Sequence, residues 1–256
     1  METQVADRLR QVRAAVIAQP EAADAWGRFG MVCHAHELWD CADSAYRQAV
    51  TLDPTDERWH YYLGDVLSVV GTDLQAAERA FRRVMELYPD HAPTHLRLGR
   101  VLVADNRPAG AAKQFERALE LDPDLQPARL ALAQIRLAEG RLEDAREMLE
   151  TLLRGNLRNE QGLSTLGRVY MLQGQRSEAR EIASRAREAA AFNLYSDPLM
   201  GQVVAEGRSS VLLWDRAKAF FRQRRFRASC SRPDAGRRAP PGQSRRASPA
   251  GRGASQ

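Results

Sequence analysis

The chain has 256 residues, 44% of them hydrophobic, with 38 Lys+Arg against 33 Asp+Glu for a net charge of +5. That apolar share suffices for a buried core, yet no apolar run approaches the roughly 20 residues of a membrane-spanning helix, and the first twenty residues lack the hydrophobic stretch of a secretory leader. The positive charge sits at one end: residues 216–256 hold twelve basic side chains and one acidic, a balance of +11, whereas residues 1–215 hold 26 and 32, a balance of −6.

In chain order, residues 5–18 predict a lone helix, with Val12, Ala15 and Pro20 in a register that recurs downstream. Residues 1–22 are therefore expected to cap the first pair of helices. From residue 23 the sequence repeats. Gly30, Gly64, Gly99, Ala133 and Gly167 are separated by 34, 35, 34 and 34 residues. Ala42, Ala77, Ala111, Ala145 and Ala179 come twelve residues later, thirteen in the second unit. Four further on stand Tyr46, Phe81, Phe115 and Leu149, with the smaller Ala183 in the last unit.

Each unit predicts two helices. In the third, Leu98, Val101 and Leu102 form a stripe at helical spacing that Asp105-Asn106-Arg107-Pro108 breaks. A second helix over about 109–121 carries Ala111, Phe115, Ala118 and Leu119 on one face, and Pro123 stops it. Gly71, Gly140 and Gly174 occupy the equivalent turn elsewhere, where a positive φ costs glycine little. The small residue on the first helix lets the second approach closely, and the large residue fills the space beyond.

The run Trp26-x2-Phe29-Gly30-x2-Cys33, then Ala42-x3-Tyr46 and Pro54, resembles the tetratricopeptide repeat pattern. The resemblance covers residues 23–193 as five units, 23–56, 57–91, 92–125, 126–159 and 160–193. It implies an all-α fold, a right-handed α-solenoid of helix-turn-helix repeats stabilised by stacking of neighbours. Thr72 reads as a one-residue insertion. Leu157 and Ala191 stand where the fourth and fifth units should close with proline, so their second helices are expected to run longer or end differently.

Beyond the fifth unit, residues 194–228 predict further helices, including an incomplete sixth repeat through Leu213, Ala217, Phe220 and Phe221. Residues 229–256 are rich in Arg, Pro, Gly and Ser without a large apolar side chain, a disordered composition. Two origins stay open for that text, a native tail or the product of a frameshift in a GC-rich gene.

Chemistry is sparse. Cys33, His34, His36 and Cys41 cluster in sequence but lack the second ligand pair of a zinc site. His91 and His95 flank a unit boundary and read as surface or packing residues. No Walker loop, Gly-rich dinucleotide turn, haem motif or nucleophile elbow occurs. No catalytic residue, metal or cofactor is expected. Three cysteines, Cys33, Cys41 and Cys230, are too few for a disulfide framework and point to a reducing, cytoplasmic setting.

The resemblance supplies the functional expectation: a non-enzymatic scaffold that binds a partner peptide or helix in the concave groove lined by the first helices. The groove positions fall on Met31, Arg58, Tyr61, Asp65, Leu96, Arg100, Leu130, Gln134, Arg168 and Met171, with Gly27, His34, Ser68, Val103, Leu137, Gln161 and Ser164 at related positions. Gly27, Met31 and Leu96 depart from the Lys and Asn with which the family's chaperone-binding members clamp a peptide carboxylate. One alternative is a nucleic-acid-associated protein acting through the Arg-rich residues 216–256. Another is the interaction module of a larger enzyme or signalling protein, truncated here.

Overall fold

The computed structural model describes residues 2–71, 73–157 and 159–188. Thr72, Ala191, the incomplete sixth repeat and the Arg-rich segment lie outside the described residues. Within them the chain forms eleven helices and no strand: α1 (Glu2–Ala18), α2 (Ala23–Ala35), α3 (Trp39–Leu52), α4 (Glu57–Val70), α5 (Leu74–Leu87), α6 (Ala92–Ala104), α7 (Pro108–Leu121), α8 (Gln126–Ala138), α9 (Leu142–Gly155), α10 (Glu160–Leu172) and α11 (Arg176–Glu188). Every helix packs on its neighbours in sequence, and α2 touches α4, α4 touches α6 and α8 touches α10. The result is an all-α solenoid whose even-numbered helices line up along one side.

Turns follow the chemistry of their residues. Gly71, Gly140 and Gly174 adopt φ of 70°, 77° and 77°, the left-handed region that favours glycine. In the first and third units the same turn is made by Glu37 (φ 50°) and Asn106 (φ 56°). Asn tolerates this conformation, whereas Glu37 holds it under strain. Asp56, Asp73 and Asn159 cap α4, α5 and α10 by accepting from the backbone N–H of Arg58, Ala76 and Gly162. Although no proline closes the fourth unit, α9 has 14 residues, as α7 does.

A second recurring device joins one unit to the next. The fourth residue of a unit donates a side-chain hydrogen bond to the carbonyl of the proline six residues earlier: Trp26 Nε1 to Pro20 at 2.8 Å, His60 Nε2 to Pro54 at 3.1 Å, His95 Nε2 to Pro89 at 3.3 Å, and Arg129 to Pro123. These carbonyls lie just past a helix C-terminus and need such a partner. In the fifth unit both members vanish together, Leu157 replacing the proline and Leu163 the donor.

The repeat positions account for the core. Ala42, Ala77, Ala111, Ala133, Ala145 and Ala179 are buried. A Cβ on Gly30 would come within 2.7 Å of the Tyr46 ring, on Gly64 within 2.9 Å of Phe81 and on Gly99 within 2.4 Å of Phe115. The glycine is thus demanded by the aromatic ring itself. At Gly167 the added Cβ would meet Ile182 at 3.7 Å, an ordinary contact. There Ile182 is buried and Ala183 exposed, so the large core residue of the fifth unit sits one position earlier than the repeat register suggests. In α1 the buried face is Val5, Leu9, Val12 and Val16, and Ala15 is exposed.

Buried side chains form two clusters that divide at α8. The first reaches from Val5 to Ile135 and holds the large rings Tyr46, Trp59, Tyr61, Tyr62, Phe81 and Phe115. The second runs from Leu130 to Ile182, and its buried side chains are aliphatic. Helix α8 belongs to both, giving Leu132 and Ile135 to one and Leu130, Ala133 and Leu137 to the other.

Candidate functional site

The even-numbered helices present two different surfaces. On α4 every residue from Trp59 to Leu67 is buried, the mark of a helix enclosed all round. Tyr61 is fully enclosed, its ring meeting Phe81 at 5.8 Å and His91 at 5.3 Å between centroids, both edge-on. Trp59 crosses to α2, where a Cβ on Gly27 would lie 2.3 Å from its indole. Arg58 stacks over the same indole at 4.6 Å and pairs with Asp56 at 2.5 Å and Asp24 at 3.2 Å. Leu96 is fully buried, and Met31 and Leu130 nearly so.

A buried ion chain crosses three units beside these rings. Asp65 on α4 meets His34 Nε2 of α2 at 3.3 Å through one carboxylate oxygen and the Arg97 guanidinium of α6 at 2.5 Å through the other. Burial by itself would raise the Asp65 pKa. The hydrogen bond from His34 and the charges of Arg97, His34 and Arg100 outweigh it and hold the carboxyl below its ordinary value. His34 also lies 3.4 Å from the Tyr46 hydroxyl and packs edge-on against Trp39. Burial, with the charges of Tyr62, Cys33 and Asp65, pushes that phenol well above its ordinary value.

Thus Met31, Tyr61, Asp65, Leu96 and Leu130, groove positions by the repeat register, are packed between helices. Apolar packing holds Met31, Tyr61, Leu96 and Leu130 there, and the ion pairs with His34 and Arg97 hold Asp65. Arg58 is partly exposed and held by two carboxylates. Arg100, Gln134, Arg168 and Met171 remain exposed.

Three of those exposed residues share one space. A concavity of about 1160 Å³ opens along α6, α8 and α10, and Arg100, Gln134 and Arg168 line it. Leu130 contributes to its floor, Val103 and Ser164 to its walls. Arg168 makes no ion pair with any described residue. Of the two lining carboxylates, Glu139 pairs with Arg136 at 3.0 Å, and Glu160 stands in the first turn of α10.

The other candidates are structural in their contacts. Cys33 and Cys41 are buried and not joined by a disulfide, their thiols 2.7 Å apart between α2 and α3. His91 and His95 are buried, His91 Nδ1 lying 2.7 Å from the Thr94 hydroxyl and His95 Nδ1 2.9 Å from the Gln114 side-chain amide. Among the described residues no group of three or more His, Cys, Asp or Glu is placed to hold a metal, and no helix is long and apolar enough to cross a membrane.

Two family models, both described as tetratricopeptide repeat, match residues 71–125 and 102–162. A search of curated proteins returns no match. Similar solved structures include YrrB, described as "a TPR protein with an unusual peptide-binding site", with a TM-score of 0.59 and 20% identity over 81% of this chain and 97% of that one. The MamA protein matches with a TM-score of 0.61 and 20% identity over 70% of this chain and all of its own. Pseudomonas aeruginosa PilF matches with a TM-score of 0.62 and 20% identity over 82% of this chain and 86% of its own. At these identities the likeness is one of fold.

Proposed function

We propose that this chain, which belongs to the tetratricopeptide repeat proteins, is a protein-binding scaffold whose partner lies in the concavity of α6, α8 and α10. The observation that carries this reading is the concavity itself. Its exposed lining combines guanidinium, amide and hydroxyl groups over an apolar floor, the mixture that orients an extended peptide while burying part of its surface. The likeness to YrrB, described as having a peptide-binding site, supports the class of ligand. On α2 and α4 the corresponding positions are occupied by the chain's own side chains, so the site falls on the later units.

Replacing the exposed Ser164 by Trp would obstruct the concavity at the α10 wall without touching the core. Affinity purification with the full chain and with Ser164→Trp, compared quantitatively by mass spectrometry, checks the assignment. Partners recovered by the parent chain and lost with the variant are the expected result. Equal recovery by both would place binding elsewhere on the molecule.

A further inference from the structure

The lining of the concavity sets the charge of its ligand, given that the concavity is the binding site. The ninth residue of each unit reads Met31, Asp65, Arg100, Gln134 and Arg168 in order. The first two are buried, and the other three are exposed side by side on α6, α8 and α10. A guanidinium therefore stands at each end of this wall with a carboxamide between them. The Asp65 carboxylate is shared by His34 and Arg97, and Arg100 adds a further positive charge close to it. Arg168 has no carboxylate partner among the described residues. Against these, Glu139 is spent on Arg136, leaving Glu160 as the opposing charge in the lining.

An apolar side chain accompanies each arginine. Val103 lies one turn beyond Arg100 on α6, and Met171 one turn beyond Arg168 on α10, exposed by 49% and 59%. Val103 lines the concavity and Met171 flanks it at the Arg168 end, outside its lining, so an exposed apolar group accompanies the guanidinium at either end. Helix α8 packs on α10; with packed helices about 8–10 Å apart, and α6 standing off α8 by the same step across the concavity, α6 and α10 would be separated by about 16–20 Å. An extended chain rising about 3.3 Å per residue covers that distance in five or six residues.

We propose that the concavity takes an extended acidic segment of a partner protein, with two Asp or Glu residues five or six positions apart, each beside an apolar residue. One carboxylate meets Arg168 and the other Arg100, with Gln134 donating to the backbone between them. The chain's own residues 216–256, with twelve basic side chains and one acidic, carry the wrong sign to be the occupant.

The test is selection of random dodecapeptides displayed on phage against the full chain at about 0.15 M salt, where screening beyond roughly 8 Å limits capture by the basic segment. Selected peptides are then titrated against the parent chain, Arg168→Glu and Ser164→Trp, each checked for native helicity by circular dichroism. Enrichment of paired acidic residues at that spacing is expected, with affinity falling about tenfold or more for both variants, as like charges and lost space each exclude the ligand. Peptides lost with Ser164→Trp but indifferent to Arg168→Glu would overturn the acidic ligand and leave the concavity as the site. Peptides indifferent to both variants, including any held by the basic segment, would overturn the site as well, as would a selection that yields no binder.

Discussion

In α2–α5 the space between helices is filled by Tyr46, Trp59, Tyr61 and Phe81 and tied to α6 by the His34–Asp65–Arg97 ion chain; in α8–α11 the same repeat is packed with leucine and isoleucine and, with the exposed face of α6, leaves a concavity open. Both regions obey one period, so the difference lies in side-chain size at equivalent places. Large rings consume the groove surface and tie successive units together. Smaller aliphatic residues satisfy the core and leave polar side chains exposed along the concavity. A repeat array can in this way devote one end to stability and the other to recognition, without any change of fold.

The contrast can be broken most severely at Asp65. Replacing it by Ala leaves the half-buried Arg97 and the buried His34 beside an empty place, and a loss of up to about 3 kcal/mol is expected, read by thermal or urea unfolding. A midpoint shift as small as that of an exposed-site variant would show that the ion chain does not hold the early units together. Next in size is the glycine contact. Gly99→Ala drives a Cβ to 2.4 Å from Phe115, and overpacking of this kind costs about 1–3 kcal/mol. The same substitution at Gly167 meets only an ordinary contact at 3.7 Å, so the better helix propensity of alanine should stabilise by up to about 1 kcal/mol. Opposite signs for one substitution at two equivalent positions would sharpen the comparison, and equal losses would erase it.

Acid should act on the early units first. Burial lowers the His60 pKa below its ordinary value of 6.5. The folded state then binds fewer protons than the unfolded chain, and stability falls as pH drops below 6.5. The carboxyl of Asp65, held below its ordinary 3.8, withdraws its contribution at lower pH still, as it becomes protonated. Hydrogen exchange at decreasing pH should expose α2 and α4 before α8 and α10. Smallest of all is the turn at Glu37, where φ is 50°. Glycine there relieves left-handed strain while adding chain entropy, for a net gain of about 0.5–1 kcal/mol, measurable as a modest rise in melting temperature.

Much of this architecture was legible in the residues. The 34-residue spacing of small positions, the prolines and the turn glycines placed the helix pairs, because each feature is a local rule about size or backbone freedom. The proline–donor bonds were legible too, since Trp26, His60, His95 and Arg129 each stand six residues after a proline and disappear where Leu157 replaces it. They escape a reading that tracks apolar positions alone. The ion chain is harder to see: His34, Asp65 and Arg97 sit at the twelfth, ninth and sixth places of successive units, so their meeting depends on how far each unit rotates on the last. The groove was legible as a register and not as a surface. Tyr61 and Leu96 share the fifth position with the exposed Ser164, and only the size of their neighbours decides which of them faces outward.

The division between a closed early half and an open later half is tested most directly by site-specific photo-crosslinking. A benzophenone side chain is placed in the full chain at Val69, exposed by 54% at the end of α4, or at Gln134, exposed on α8. Irradiation with a partner protein bound should yield a covalent adduct from position 134 and none from position 69. An adduct from position 69 alone, or equal adducts from both, would contradict the division.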